Sequence, residues 1–119
     1  MLIGLTGRPG VGQDVVADYL ARAHAFTSTK HITDELVDEL SGHHVVVTHI
    51  RDRVDAEILA ERGGIIVHLR DAQLPDLGPE GGIALREIDH QVMVTRDCFR
   101  AFDLLDRVIG EAEFCEVAA

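Results

Sequence analysis

One segment at the start of the chain constrains the fold more than any other. An apolar run over residues 2–6 is followed directly by three glycines in close succession, Gly7, Gly10 and Gly12. A helical pattern begins at the last of these glycines, and its apolar stripe consists of Val15, Val16, Tyr19, Leu20 and Ala23. This order predicts a buried β-strand, a tight glycine-rich turn and an α-helix that starts at the turn.

The glycine-rich turn matches the phosphate-binding loop pattern G-x-x-x-x-G-K-[ST] in both glycines and in their spacing. In such loops the backbone N–H groups and the helix N-terminus hold an anion, the lysine reaches the outer phosphates and the hydroxyl holds Mg²⁺. Gln13 and Asp14 stand at the lysine and hydroxyl positions, so we expect the anion-binding backbone of such a loop without the positive charge of its lysine. The alternative is a structural turn that binds nothing. The candidate phosphate-binding residues are Gly7, Arg8, Gly10, Val11, Gly12, Gln13 and Asp14.

The charge of the chain restricts its partners. There are 11 Lys and Arg residues against 21 Asp and Glu residues, which gives a formal net charge of −10. Such an acidic surface disfavours contact with nucleic acid or with an anionic membrane, and it is compatible with a basic protein partner. A DNA-mimicking role would depend on charge alone.

The apolar edges of a small sheet are prone to pairing, which predicts a homodimer.

The length and hydropathy of the chain predict one cytoplasmic domain. We assign residues 1–110 to a single domain and residues 111–119 to an acidic tail. No stretch is long enough to span a bilayer, and Met1 leads straight into the first apolar run without a signal-peptide layout. Cys98 and Cys115 have neither metal-ligand nor disulfide spacing, and Cys98 lies in an apolar helical pattern that predicts a buried thiol.

Strands and helices alternate along the chain. Apolar β-type runs cover residues 2–6, 44–48, 65–69 and 91–94. One helical pattern begins at Gly12, and others cover 34–41, 52–62 and 96–109, with Thr33 and Thr95 as N-caps of the second and the last. Residues 71–82 are predicted to form a loop, and residues 83–89 to contain one helical turn. Buried helix positions are predicted at Val54, Ile58, Leu59, Cys98, Phe102, Leu105 and Ile109. The alternation predicts a three-layer α/β fold of P-loop type, with about four parallel strands in the order 44–48, 2–6, 65–69, 91–94 and helices on both faces.

Several motifs resemble the phage-type deoxynucleoside monophosphate kinases. Residues 4–8 (Gly-Leu-Thr-Gly-Arg) and 12–20 (Gly-Gln-Asp-Val-Val-Ala-Asp-Tyr-Leu) are similar to the opening of that family, whose loop reads G-K-D-T-x-A-D-[YF]-L. Residues 45–51, 56–57 and 63–67 resemble its pattern V-I-T-D-V-R…E-A…G-G-x-V-I, and residues 89–105 resemble its last strand and helix. The resemblance covers most of the chain. It implies a P-loop fold like that of nucleoside monophosphate kinases, with transfer of a phosphoryl group from ATP to a deoxynucleoside monophosphate in the presence of Mg²⁺.

The catalytic positions implied by this resemblance are changed in this chain. The family lysine falls on Gln13, the threonine after the aspartate falls on Val15, and the aspartate that ends the second motif falls on His49. The segment between the first helix and Val45 is shorter than in the family, and no arginine-rich lid is visible in 71–82. We therefore expect a degenerate kinase-like protein that has lost phosphoryl transfer and acts by binding or regulation.

An active small (deoxy)nucleoside monophosphate kinase is the alternative function. It would use ATP and Mg²⁺, and Arg8, Gln13 and Arg51 are the candidate catalytic residues, because an arginine could replace the missing lysine. Nucleotide or phosphate at the loop, with or without catalysis, is thus the ligand that the sequence favours.

The histidines offer a minor metal hypothesis. His49 and His68 are predicted at the carboxyl ends of strands that flank the loop, where Asp14 could join them. Two imidazoles are too few for a zinc site, so polar histidines at the sheet edge are the preferred interpretation. His43 and His44 are expected in a solvated turn.

Overall fold

The computed structural model describes residues 1–8, 10–40, 42–71, 79, 82–94 and 99–118, with the side chains of the last segment described over 101–111. The predictions for Ser41, Thr95, Arg96, Cys98 and most of the 71–82 loop lie outside these residues, as does the Cys115 side chain. The strands are β1 (Leu2–Thr6), β2 (Thr27–Thr29), β3 (Val45–Val47), β4 (Ile65–Asp71) and β5 (His90–Val94). The helices are α1 (Gln13–His24), α2 (Asp34–Glu39), α3 (Arg53–Glu61) and α4 (Phe99–Ala118).

The five strands form one parallel sheet in the order β2-β3-β1-β4-β5. The predicted order of the four apolar strands is confirmed, and β2 is an additional strand at one edge. β2 has the sequence Thr27-Ser28-Thr29, a polar run that carries no apolar signal, and it pairs with β3 from Thr27↔Val45 to Thr29↔Val47. Its polar side chains are compatible with the sheet because an edge strand remains in contact with solvent.

Helices cover both faces of the sheet and complete the three predicted layers. On one face α1 and α4 pack through Val16, Leu20 and Leu105. On the other face α2 and α3 pack on the sheet, with Leu59 of α3 fully buried. Successive strand residues point to opposite faces, so the continuous apolar run of β3 serves both clusters.

Some surface positions differ from the helix predictions. Val15 and Val54 were expected to face inward but are 50% and 61% exposed, and Ala23 is exposed as well. Each helix lies on the sheet along a single side, so the buried stripe is narrower than the apolar pattern. The N-cap prediction is confirmed, because the Thr33 hydroxyl accepts a hydrogen bond from the Leu36 N–H at 3.1 Å.

The last helix is longer than predicted. α4 continues to Ala118, beyond the expected end at Ile109. Residues 111–118 contain no proline and include alanines and glutamates, which favour a helix and outweigh the single Gly110. No helix among the described residues, α4 included, is long and apolar enough to cross a membrane.

A turn closed by Asp89 replaces the helical turn expected within 83–89. The Asp89 N–H donates to the Arg86 carbonyl at 3.0 Å, and its carboxylate accepts hydrogen bonds from the Ile66 N–H and the Arg86 N–H, each at 2.8 Å. The Arg86 guanidinium also donates to the Gly64 carbonyl at 3.0 Å. The Asp89 carboxylate therefore connects the residues just before β5 with the start of β4.

α1, which carries the loop at its N-terminus, is held against α4 by aromatic and polar contacts. The rings of Tyr19 and Phe102 stack with centroids 4.0 Å apart. The Tyr19 hydroxyl donates to Asp106 at 2.6 Å, and this hydrogen bond raises the pKa of Tyr19 to about 12. His24 contacts the same carboxylate oxygen at 2.7 Å. These contacts stabilise the position of α1, and with it the end of the loop.

Candidate functional site

The loop between β1 and α1 is built from glycines in conformations that other residues rarely adopt. Gly7, Gly10 and Gly12 have φ angles of 146°, 83° and 125°. A Cβ atom on Gly7 would lie 2.8 Å from the Leu69 carbonyl oxygen, so the first residue of the loop lies close beside β4. Gly12 is the N-cap of α1. The predicted strand, turn and helix start are therefore present, at the carboxyl end of the central strand.

The loop is closed by its own hydrogen bonds. The Val11 N–H donates to the Arg8 carbonyl at 3.1 Å, so it points into the turn. The Gln13 side-chain amide donates to the Gly7 carbonyl at 3.3 Å and to the Arg8 carbonyl at 3.0 Å. A neutral group thus satisfies two loop carbonyls from the position where the motif has a lysine.

Two charged side chains of opposite sign border the loop. Arg8 and Asp14 are both exposed. Asp14 lies in the first turn of α1, where a carboxylate interacts favourably with the helix dipole even without a ligand. The same carboxylate repels a bound phosphate, whereas Arg8 attracts one. The loop therefore has little net charge of its own with which to bind an anion, and backbone amides must provide most of the attraction.

Arg51, the third candidate catalytic residue, is bound to a carboxylate of α3. Its Nε and one terminal nitrogen donate to Asp55 at 3.0 and 3.3 Å, and its backbone N–H donates to the same carboxylate at 3.0 Å. The Asp55 side chain is 5% exposed. Burial alone would raise the pKa of Asp55, but the hydrogen bonds from Arg51 outweigh burial and hold this pKa below its usual range. Arg51 therefore stabilises the start of α3.

The histidines do not form a metal site among the described residues. His68 is 4% exposed, lies within β4, and its Nδ1 is 2.8 Å from the Thr6 hydroxyl. His49 is exposed, and its Nδ1 is 2.7 Å from the Thr48 hydroxyl. No group of three His, Cys, Asp or Glu residues that could hold a metal occurs in the part of the chain that the structure describes.

One histidine prediction is wrong. His44 is half-buried instead of solvated, since its ring stacks on Phe26 with centroids 5.1 Å apart and its Nδ1 lies 3.0 Å from the Met1 amino group. His43 is exposed, as expected.

Sequence reasoning missed a second polar group at the carboxyl ends of β2 and β3. The His31 and His49 rings lie edge to face with centroids 6.0 Å apart. The His49 N–H donates to the Lys30 carbonyl at 3.0 Å, and the Thr48 N–H donates to the Thr29 carbonyl at 2.8 Å. Lys30 and His31 follow β2, so recognising this strand would have placed them here.

Gly7→Ala is expected to lower the free energy of unfolding by about 2 kcal/mol, because alanine is strained at this φ and its methyl group meets the Leu69 carbonyl. Chemical denaturation measures the change. Gly10→Ala is the matched control, since its φ is also positive but its Cβ would have open space, and we expect a loss of only about 1 kcal/mol. Equal losses would contradict the close approach of the loop to β4.

Comparison of the chain with protein-family models, with curated proteins and with solved structures found no match. The structure itself describes a parallel three-layer α/β protein with a glycine-rich loop between its central strand and its first helix.

Proposed function

We propose that this chain binds a phosphate-bearing small molecule, a nucleotide in the first instance, at the β1–α1 loop and does not transfer its phosphoryl group. The observation that carries the proposal is the position of Gln13, whose amide lies on the loop carbonyls in place of a lysine. The positive-φ glycines and the helix N-terminus favour an anion. A missing charged donor, by contrast, removes about 3–4 kcal/mol of transition-state stabilisation.

A protein that binds a nucleotide without consuming it is suited to regulation. Loop occupancy can favour one conformation, and a partner that prefers this conformation then responds to the nucleotide. The net charge of −10 suits a basic protein partner, and the cytoplasm is the predicted location. The resemblance of the sequence motifs to a kinase with altered catalytic positions therefore leads to a binding role in this proposal.

The alternative, an active nucleotide kinase, would need Arg8 or Arg51 in place of the lysine. Arg51 is engaged by Asp55, and its transfer to a phosphate would leave a buried carboxylate without its partner. Leaving a buried charge unpaired costs about 3–5 kcal/mol. This cost disfavours Arg51 as the substitute, so the alternative depends on the exposed Arg8.

Isothermal titration with ATP, ADP and inorganic phosphate, each with and without Mg²⁺, tests the proposal. We expect binding that does not require Mg²⁺ and no formation of ADP from ATP and a deoxynucleoside monophosphate. Arg8→Ala should weaken binding roughly fivefold, the effect of one exposed charge. Arg22→Ala, in the last turn of α1, is the matched control and should leave binding unchanged. Absence of binding by all three ligands would exclude the proposal, and turnover would establish the alternative.

We also propose that two copies of the chain associate through β5. This strand lies at the edge of the sheet and pairs with β4 on one side, and no other described strand pairs with it. Its sequence, His90-Gln91-Val92-Met93-Val94, contains no carboxylate, lysine or proline, the residues that commonly protect an edge. Met93 is 48% exposed. Neither edge strand carries an acidic residue, and β5 is the longer of the two and the one with a large exposed apolar side chain, so we place the contact there.

Light scattering coupled to size-exclusion chromatography measures this association. The wild-type chain is expected to show twice its 13.0 kDa mass at high concentration. Met93→Lys should give the monomer, because it places like charges opposite each other in the interface. Ser28→Lys on the other edge strand is the control and should leave the dimer intact. A monomeric mass at every concentration would contradict the dimer, as would equal disruption by both substitutions.

A further inference from the structure

The second half of the glycine-rich loop lies against the edge strand β5. A Cβ atom on Gly12 would lie 3.4 Å from a methyl carbon of Val94, the last residue of β5. Val94 is half-buried and packs on the same core cluster as Val11, which precedes Gly12 in the loop. The first residue of the loop lies beside β4, where Gly7 approaches Leu69. The loop is therefore supported at one end by an inner strand and at the other end by the edge of the sheet.

The support on β5 is the weaker of the two. Val94 pairs with Asp71 at the last position of the β4–β5 register, and no described strand pairs with β5 on its other side. In a single copy of the chain, the end of this strand is thus held from one side only. Such strand ends open locally at a low cost in free energy, because few contacts have to break. Opening at Val94 removes the apolar neighbour of Gly12, the N-cap residue of α1.

A second connection between β5 and the loop involves the helices. α4 packs on β5, with Val92 and Leu105 in one buried cluster. α4 also holds α1 through the stacked rings of Phe102 and Tyr19, and α1 begins directly after the loop. β5 thus contacts the loop directly at Gly12 and, through α4, the helix that follows the loop.

We propose that association of two copies through β5 and anion binding at the loop are coupled, with Val94 as the residue that connects them. This coupling rests on the proposed function and on the proposed dimer. A second copy supplies hydrogen bonds on the open side of β5 and holds Val94 against Gly12, so the ligand has less of the loop to order when it binds. Binding and association then favour the same state of the loop, which makes the coupling positive.

The negative charge of the ligand does not oppose this coupling at physiological salt. Two identical strands related by a two-fold axis pair in the antiparallel direction, so the two loops lie at opposite ends of the paired strands. When the strands overlap fully, the first and last residues of this five-residue strand are roughly 14 Å apart. This distance exceeds the Debye length of about 8 Å, beyond which exposed charges are largely screened.

The first test uses the full wild-type chain and the ligand that binds most tightly among ATP, ADP and inorganic phosphate. Analytical ultracentrifugation at fixed ionic strength measures the dimer dissociation constant with and without this ligand, and isothermal titration measures ligand affinity below and above that constant. We expect each loop to bind about fivefold more tightly in the dimer. Because each dimer contains two loops, linkage requires the saturating ligand to lower the dimer dissociation constant by the square of this factor, about 25-fold.

Val94→Ala tests the connecting residue. This variant keeps the β5 backbone and should still form the dimer, but it lacks the methyl groups that contact Gly12. The ligand should then change the dimer dissociation constant less than about fivefold. Val37→Ala is the matched control, because it shortens a half-buried valine of α2 on the opposite face of the sheet, and it should keep the wild-type coupling.

The possible failures can be told apart. If no ligand binds to the wild-type chain, the proposed function fails and the coupling fails with it. Ligand binding with an unchanged dimer dissociation constant overturns the coupling and leaves the proposed function in place, as does a chain that stays monomeric with ligand bound. Equal coupling in the two valine variants overturns the role of Val94. The wild-type measurement needs no substitution, so it decides the coupling even if Val94→Ala does not fold.

Discussion

Asp89→Ala is expected to lower the free energy of unfolding by about 3–5 kcal/mol, the largest stability effect that the structure predicts. The Asp89 side chain is fully buried and accepts hydrogen bonds from the Ile66 N–H, from the Arg86 N–H and from the Arg86 guanidinium. Alanine removes all of these acceptors at once, which leaves the N–H at the start of β4 unpaired. Urea denaturation followed by circular dichroism measures the loss, and the melting temperature should fall by roughly 10–20 °C.

The same carboxylate predicts a dependence of stability on pH. Burial by itself would raise the pKa of Asp89, but the hydrogen bonds from Arg86 and Ile66 hold it below its usual value. A carboxyl whose pKa is lower in the folded chain stabilises the fold fully above its unfolded pKa of about 3.9. This stabilisation is lost as the pH falls through the folded pKa. The difference between wild type and Asp89→Ala should therefore be constant near neutral pH and should shrink below about pH 4.

Glu57→Ala is the matched control for this substitution. It also removes one negative charge, but Glu57 is 63% exposed and its contact with Arg53 is 3.5 Å long. Exposed ion pairs of this kind contribute about 0–1 kcal/mol. A similar loss in both variants would mean that net charge, and not the buried turn, determines the effect.

The features that the sequence predicted correctly are local ones. β1 and β4 were recognisable because a strand buried on both faces is a continuous apolar run, and the loop because its glycines follow such a run directly. Thr33 was recognisable as an N-cap because the hydroxyl bonds three residues ahead. β2 was missed because its three residues are polar, and its existence depends on pairing with β3.

The features that were missed depend on residues far apart in the chain. The Asp89 carboxylate accepts a hydrogen bond from the Ile66 N–H at the start of β4, and no local sequence pattern predicts such a contact. His68 was placed at a strand end from its apolar neighbours, but its partner is Thr6 on the adjacent strand, 62 positions away. The Arg51–Asp55 pair was within reach of sequence reasoning, since the two are four residues apart at a helix start. The candidate site was thus predictable in its backbone and less so in the partners of its side chains.

Gln13→Lys is expected to increase the affinity for inorganic phosphate and for ATP about tenfold to a hundredfold. Gln13 Nε2 lies within hydrogen-bond distance of the Gly7 and Arg8 carbonyls, so a lysine ammonium at this position would have the same two carbonyl oxygens as hydrogen-bond acceptors. A lysine can keep those hydrogen bonds and add a positive charge at the half-exposed mouth of the loop. A charge-assisted contact there contributes about 1.4–2.8 kcal/mol, which corresponds to the expected range of affinity. Isothermal titration with phosphate and with ATP, at fixed ionic strength, measures the gain.

Val15→Lys separates a specific effect from general attraction. It adds the same single charge two residues further along α1, at a side chain that is 50% exposed. An exposed charge at this distance is screened at physiological salt, so Val15→Lys should change the affinity less than about threefold. An equal gain in both variants would mean that the loop attracts phosphate only through overall charge. No gain with Gln13→Lys would mean that the glycine-rich loop does not hold an anion, because a lysine ammonium at position 13 would then have no bound phosphate to attract.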